Sequence, residues 1–81
     1  MDFMNDLINN IARLHTTSMG LERIRHNLSL NDTDIVKWCR LRISNPDSHI
    51  ERRGKNWYVT ADDCIITVNA TSYTIITGHK I

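Results

Sequence analysis

The period of the hydrophobic pattern changes at Pro46, the single proline of the chain, and this change constrains the fold more than any other feature. Before Pro46, apolar residues recur every three or four positions, which is typical of amphipathic helices. After it, apolar and polar residues alternate, which is typical of strands that bury one face. The 81 residues are therefore predicted to form a single domain, with a helical part over 1–45 and a sheet part over 48–80.

Three helices are predicted before Pro46. The first spans residues 2–15 and carries one apolar stripe, formed by Phe3, Met4, Leu7, Ile8, Ile11 and Leu14. The second spans about 19–28, after the capping candidates Thr16, Thr17 and Ser18. The third spans about 32–43, with Asn31 as its N-cap and Asp32 and Asp34 close behind.

Four strands are predicted after Pro46, over residues 48–53, 56–60, 64–69 and 73–79. The segments between them are too short for parallel crossovers, which need a dozen or more residues. The strands therefore form an antiparallel meander. The predicted fold class is α+β, with three N-terminal helices packed on one face of a four-stranded sheet.

The other sheet face is predicted to be polar and uncovered. A two-residue loop at Gly54-Lys55 pairs Arg53 with Asn56 and directs the apolar residues of this hairpin toward the helices. The residues left on the opposite face are His49, Glu51, Arg53, Tyr58 and Thr60. The register of the last hairpin stays open, so that either Thr74 or Thr77 with His79 joins this face.

Charge is balanced overall but not locally. The net charge is +1, whereas residues 37–55 hold six basic and two acidic side chains. Such a stretch is either an ordinary solvated surface or a patch that faces phosphates. We expect a cytoplasmic protein, because no apolar run is long enough to span a membrane, no signal peptide is recognisable, and Cys39 and Cys64 fit buried reduced thiols.

Several sequence segments resemble those of a small bacterial family of single-domain proteins of unknown function. They are Asn5–Ile11, His15–Thr17, Arg52–Thr60, Cys64–Asn69 and Ser72–Lys80. This resemblance covers nearly the whole chain and implies no activity.

A second resemblance concerns the barnase–colicin–RelE-like nucleases, in which helices precede a four-stranded antiparallel sheet. His49-Ile50-x-Arg52 is similar to the His-Ile-x-x-Arg-His opening of some members, although Arg53 stands where their second histidine would be. Tyr73–His79 is similar to their closing strand. The resemblance implies RNA cleavage without a metal ion, by attack of the 2′-hydroxyl on the neighbouring phosphate.

That chemistry needs a base, an acid and cations. The catalytic candidates are His49 or Glu51 as base, His79 as acid, and Thr77 or Thr74 as a hydrogen-bonding hydroxyl. The candidates for RNA binding are Arg52, Arg53 and Lys55 on phosphates and Tyr58 on a base. No metal or cofactor is expected, since His15 and His26 form no ligand spacing with another His or Cys.

Three functions follow as hypotheses. The first is an RNA-directed protein, either a metal-independent ribonuclease toxin or a relative that has lost activity. The second is a non-catalytic protein-interaction module, such as a phage- or plasmid-borne inhibitor or a toxin–antitoxin component. The third is a helix-turn-helix DNA-binding protein built on residues 19–43, with Arg40 and Arg42 on the DNA.

Overall fold

The computed structural model describes residues 3–30 and 34–81. The helical elements are α1 (Phe3–Asn9), a 3₁₀ turn (Ile11–Arg13), α2 (Ser18–Leu28) and α3 (Ile35–Ile43). The strands are β1 (His49–Arg53), β2 (Asn56–Ala61), β3 (Cys64–Asn69) and β4 (Ile75–Lys80). The sheet is antiparallel with the order β1-β2-β3-β4. The predicted α+β fold is therefore confirmed.

The first helix is shorter than predicted, because it is interrupted at Asn10. The Asn10 side chain donates to the carbonyl of Asp6 at 2.8 Å, and its backbone N–H donates to Leu7 O at 3.2 Å. The side chain thus takes the acceptor that a continuing helix would use. After the 3₁₀ turn the backbone becomes extended at Leu14 (ψ 134°), so the prediction of a continuous helix over 2–15 is wrong. The structure does not describe the side chains of Phe3 and Met4.

Helix α2 begins and ends at capping residues. The Thr17 hydroxyl accepts from Gly20 N–H at 3.0 Å, as the predicted capping segment requires. At the other end Ser29 adopts a left-handed conformation (φ 53°), and Leu30 N–H returns to Arg25 O at 3.0 Å. The bond from Leu30 N–H to Arg25 O is typical of a Schellman motif at the end of a helix. In that motif the left-handed position, which Ser29 occupies here, is usually glycine.

Helix α3 is capped by Asp34, whose carboxylate accepts from Lys37 N–H at 2.9 Å. Asn31 and Asp32, predicted at this helix start, lie outside the described residues. Ile35, Cys39 and Ile43 are its buried residues.

The sheet has two tight hairpins and one irregular connection. Gly54 has φ 57° in the two-residue loop between Arg53 and Asn56, which matches the predicted pairing. Asp62 has φ 56° in the loop between Ala61 and Cys64. Between β3 and β4, Val68 pairs with Ile75 but Thr67 pairs with Thr77, so Ile76 is an extra residue in a β-bulge.

The core lies between the helices and one face of the sheet. Helix α2 packs directly on β4, where a Cβ at Gly78 would come within 3.2 Å of Leu28 and 3.6 Å of Ile24. The same buried cluster takes side chains from every helix and strand, including Leu7, Ile24, Ile35, Ile50, Trp57, Ile66 and Ile75. Within the described ranges, no helix combines the length and the apolar character that crossing a membrane requires.

Candidate functional site

The sheet face opposite the core, which we call the open face, carries polar residues in cross-strand rows. The pairing of the four strands aligns His49, Thr60, Ile65 and His79 in one row and Glu51, Tyr58, Thr67 and Thr77 in the next. A third row holds Arg53, Asn56 and Asn69. The catalytic candidates His49, Glu51, Thr77 and His79 therefore all lie on this one face.

The catalytic candidates do not meet, however, because they lie on opposite edges of the sheet. His49 and Glu51 belong to β1, whereas Thr77 and His79 belong to β4, and two strands run between them. Three strand spacings amount to about 14 Å. A base and an acid that cleave one phosphodiester must both lie within hydrogen-bond distance of that phosphodiester and its attacking hydroxyl. This separation argues against His49 and His79 as the two halves of one cleavage site.

The β1–β2 side of the open face holds a cation on an aromatic ring. The guanidinium of Arg53 lies 5.0 Å from the centroid of the Tyr58 ring. The same guanidinium pairs with Glu51 at 3.4 Å. Both charged side chains are largely exposed, at 67% and 49%, so their pairing contributes little to stability. Tyr58 is half-buried beside Thr67, which is only 7% exposed.

The other residues of the basic stretch are dispersed. Arg52 lies on the core side, with its guanidinium 5.6 Å from the Trp57 ring and its Nε–H donating to Gly54 O at 2.9 Å. Lys55 is exposed in the adjoining turn. Of the three predicted phosphate-binding residues, strand pairing therefore places Arg53 on the open face and Arg52 on the core side, and Lys55 lies in the turn between β1 and β2.

Arg40 and Arg42, the residues of the DNA-binding hypothesis, are engaged within the protein. Arg40 donates to the carbonyls of Ala12 and Leu14 at 3.4 and 3.3 Å. Arg42 pairs with Asp62 and stacks 4.8 Å from the Trp38 ring. Both contacts hold α3 against neighbouring segments, which argues against a role of this helix in a DNA groove.

The β-bulge determines which residues of the hairpin between β3 and β4 lie on the open face, a question that the sequence left open. Ile75 is buried on the core side, so the alternation directs Thr74 to the open side. The extra residue Ile76 then restores Thr77 and His79 to that same side. Both of the alternatives derived from the sequence are thus realised together, since a bulge shifts the alternation by one residue.

Thr74 belongs to a hydrogen-bonded chain that sequence analysis does not predict. His15 Nε2 lies 3.0 Å from the Thr74 hydroxyl, which lies 2.7 Å from the Ser72 hydroxyl. The Ser72 hydroxyl is also 3.2 Å from Asn69 Oδ1. His15 and Thr74 form a parallel β-bridge that extends the third row beyond β4. The two residues are 59 positions apart, and no local pattern signals such a contact.

A metal centre finds no support in the part of the chain that is described, where no three His, Cys, Asp or Glu side chains could together hold an ion. The two thiols are not an alternative. Both cysteines are buried, and burial raises the pKa of Cys39 to about 12 and also raises the pKa of Cys64. A protonated thiol is a poor nucleophile and a poor metal ligand.

Comparison with protein-family models matches residues 8–79 to a family described as "Protein of unknown function (DUF3781)". No curated protein and no solved structure matches the chain significantly. The resemblance to a family of unknown function is therefore confirmed, and no match links the chain to the nucleases.

Proposed function

Because the chain belongs to the DUF3781 family, a family of unknown function, we propose a function from its own geometry: the protein binds single-stranded RNA along the open face and does not cleave it. The observation that carries this proposal is an uncovered polar sheet face with an aromatic ring and a guanidinium on its β1–β2 side. Exposed bases stack on such rings, and guanidinium groups pair with phosphates.

The composition of the open face supports a nucleic-acid ligand. Its one carboxylate, Glu51, is paired with Arg53. The remaining polar groups are hydroxyls, amides and the imidazoles of His49 and His79, which donate to or accept from base edges, 2′-hydroxyls and phosphates. Four strands about 4.8 Å apart give a surface about 14 Å across, enough for a few nucleotides.

The absence of cleavage is proposed from the distance between the candidate acid and base. The hypothesis of a metal-independent ribonuclease needs both groups at one phosphate, but β1 and β4 are the two outer strands. Of the two forms of the RNA hypothesis, the geometry favours the relative that has lost activity.

Binding is tested by fluorescence anisotropy with a labelled single-stranded RNA of about ten nucleotides, a length suited to one small domain. Tyr58→Leu keeps an apolar side chain but removes the stacking surface, and we expect it to weaken binding about tenfold, since base stacking contributes about 1–3 kcal/mol. Arg53→Gln should weaken binding and reduce its dependence on salt concentration.

The matched control is Arg23→Gln, which removes one positive charge from an exposed position of α2, away from the sheet. We expect this variant to bind like the wild type. Equal losses in Arg23→Gln and Arg53→Gln, or unchanged binding by Tyr58→Leu, would contradict a site on the open face. Cleavage is tested in the same samples, with EDTA, on a denaturing gel. RNA fragments that disappear with His49→Ala would restore the ribonuclease hypothesis.

A protein-interaction module is the second candidate, and one observation favours it. Leu41 is 65% exposed on α3, next to the stacked pair of Trp38 and Arg42. An exposed apolar residue beside an aromatic ring is typical of an interface. If RNA does not bind, a stoichiometric protein captured by the wild type but not by Leu41→Asp would support this alternative.

A further inference from the structure

We propose that one end of the protein, which we call the cationic end, binds the phosphate backbone of the RNA strand whose bases lie on the open face. The cationic end consists of the β1–β2 turn, the connection from β3 to β4 and the 3₁₀ turn, and its cations are Arg13, Arg52, Arg53 and Lys55. The inference rests on the proposed RNA binding and deepens it, because it gives the direction in which the strand leaves the sheet.

The topology of the sheet brings two of these segments together. In an antiparallel meander, alternate turns lie at the same end of the strands. The turn at Gly54-Lys55 and the connection from β3 to β4 are therefore neighbours, and Ala70 N–H donates to Lys55 O at 2.8 Å. The Lys55 side chain is exposed where the two segments meet.

The 3₁₀ turn reaches the same end through a series of stacked side chains. The guanidinium of Arg13 lies 4.4 Å from the centroid of the Tyr73 ring. The Tyr73 and Trp57 rings are both buried, with their centroids 5.4 Å apart. The guanidinium of Arg52 lies 5.6 Å from the Trp57 ring. Two guanidiniums from distant parts of the chain are thus attached to one buried aromatic pair.

The backbone of Tyr73 indicates that packing fixes the connection from β3 to β4. Tyr73 has φ 59°, a conformation that bulky side chains rarely adopt and that costs about 1–3 kcal/mol. Such a conformation persists where the surrounding structure determines it. The contacts of its ring with Trp57 and Arg13 are the packing that does so here. Arg13 therefore has a defined position on this surface.

Two cations of the cationic end are available to a ligand. Arg13 and Lys55 are exposed, and neither takes part in the three ion pairs found in residues 3–30 and 34–81. A phosphate can approach both without displacing a carboxylate. Bonds from guanidinium and ammonium groups to phosphate are charge-assisted and stronger than bonds between neutral groups.

The opposite end of the sheet is acidic, which gives the RNA strand a direction. Asp47 precedes β1, and Asp62 and Asp63 lie in the turn between β2 and β3, so all three carboxylates lie at that end. The open face is about 14 Å across and holds a few nucleotides. Phosphates beyond those nucleotides are repelled by the acidic end and attracted by the cationic end.

The experiment measures how RNA affinity depends on salt, because each phosphate contact to a single strand contributes about 0.7 to the slope of log affinity against log salt concentration. Fluorescence anisotropy is recorded with labelled single-stranded RNAs of about ten and about four nucleotides. With the longer RNA, we expect Arg13→Gln and Lys55→Gln each to reduce the slope by about 0.7. With the shorter RNA, which the open face accommodates, Arg13→Gln should leave the slope unchanged.

Three variants control for effects on structure and on total charge. Arg13→Lys keeps the charge and should retain the slope of the wild type. Arg23→Gln on α2 and Lys37→Gln on α3 remove matched charges from exposed positions outside the cationic end, and we expect both to bind like the wild type. Slopes that fall equally in Arg13→Gln and Arg23→Gln, or that fall equally in Arg13→Gln and Arg13→Lys, would overturn the proposal.

A polyphosphate of about ten phosphates, which carries no bases, separates this inference from the RNA-binding function. If Arg13→Gln weakens polyphosphate binding more than Arg23→Gln does but no RNA binds, the cationic end stands as a site for phosphate chains and the RNA function fails. If the ten-nucleotide RNA binds and Arg13→Gln and Lys55→Gln both behave like the wild type, the RNA function stands and the cationic end is overturned.

Discussion

At the scale of single residues, the buried thiol of Cys39 links folding stability to pH. Cys39 is fully buried in the shared core, and burial, with a smaller contribution from the nearby Cys64, raises its pKa from 9.0 to about 12. Cys64 donates its thiol hydrogen to Ala61 O at 3.1 Å. In the unfolded chain the same thiols face water and ionise more easily.

We expect the free energy of unfolding to fall as pH rises above 9.0. In the interval up to about 12 the folded protein retains a proton on Cys39 that the unfolded chain has lost, so rising pH favours unfolding. The contribution of one such group is at most about 1.4 kcal/mol per pH unit. Urea unfolding at about pH 8 and pH 10.5, for the wild type and Cys39→Ala, measures it.

The variant should be less stable at about pH 8, because a buried side chain is truncated, but its stability should decline less on going to the higher pH. Tyrosines and lysines titrate in both proteins and cancel in the comparison. Equal declines in the two proteins would show that Cys39 does not carry this dependence.

The sequence predicted which residues of the first hairpin share the open face but not the contacts of each side chain. Alternation along β1 and β2 correctly placed His49, Glu51, Arg53 and Tyr58 on one side. The contact between His15 and Thr74 was not predictable, since it depends on where two distant segments come to lie after folding. The left-handed backbone conformation of Tyr73 (φ 59°) was not predictable either, because nothing in the local sequence requires it.

At the scale of elements, the ends of the helices are determined by individual polar side chains. Thr17 and Asp34 are the observed N-caps, and both are residue types that favour this position. Asn10 ends α1 within a stripe of apolar residues that continues past it. Periodicity therefore predicted that helices exist but overestimated the length of the first, because it does not register a side chain that competes for a backbone carbonyl.

Ser29→Gly should stabilise the protein by about 0.5–1 kcal/mol. Ser29 ends α2 with φ 53°, and glycine adopts this conformation without the steric penalty of a Cβ. Ser29 is exposed, so little packing is lost. Thermal and urea unfolding measure the change.

Ser29→Ala is the control at the same position, because it removes the hydroxyl but keeps the Cβ. We expect its stability to equal that of the wild type or to be slightly lower. If alanine and glycine stabilise the protein equally, the conformation of residue 29 is not the cause.

At the scale of the whole molecule, helices and sheet share one buried cluster. Leu7, Ile24 and Ile35 from the three helices meet Trp57 and Ile66 of the sheet in it. The change of hydrophobic period at Pro46 predicted the two parts and their order. Neither part buries its apolar face without the other, so we expect them to fold together.

A single cooperative unfolding transition is therefore expected. Far-UV circular dichroism reports on the helices, and the fluorescence of Trp57, which is 2% exposed, reports on the contact between sheet and helices. Trp38→Phe removes the second tryptophan, which is only half-buried on α3. The two probes should give the same midpoint in urea. Separate midpoints would show that the helical and sheet parts are independent units.

The bridge between His15 and Thr74 has a consequence for the order of assembly during protein synthesis. It joins positions near opposite ends of the chain, with β1, β2 and β3 between them. Nearby hairpins close at low entropic cost, whereas this junction cannot form until Thr74 has been synthesised. A nascent chain that ends before Thr74 would hold β1, β2 and β3 but not the bridge between His15 and Thr74, so the contact that joins the first helical segment to β4 forms only after the other three strands have been made.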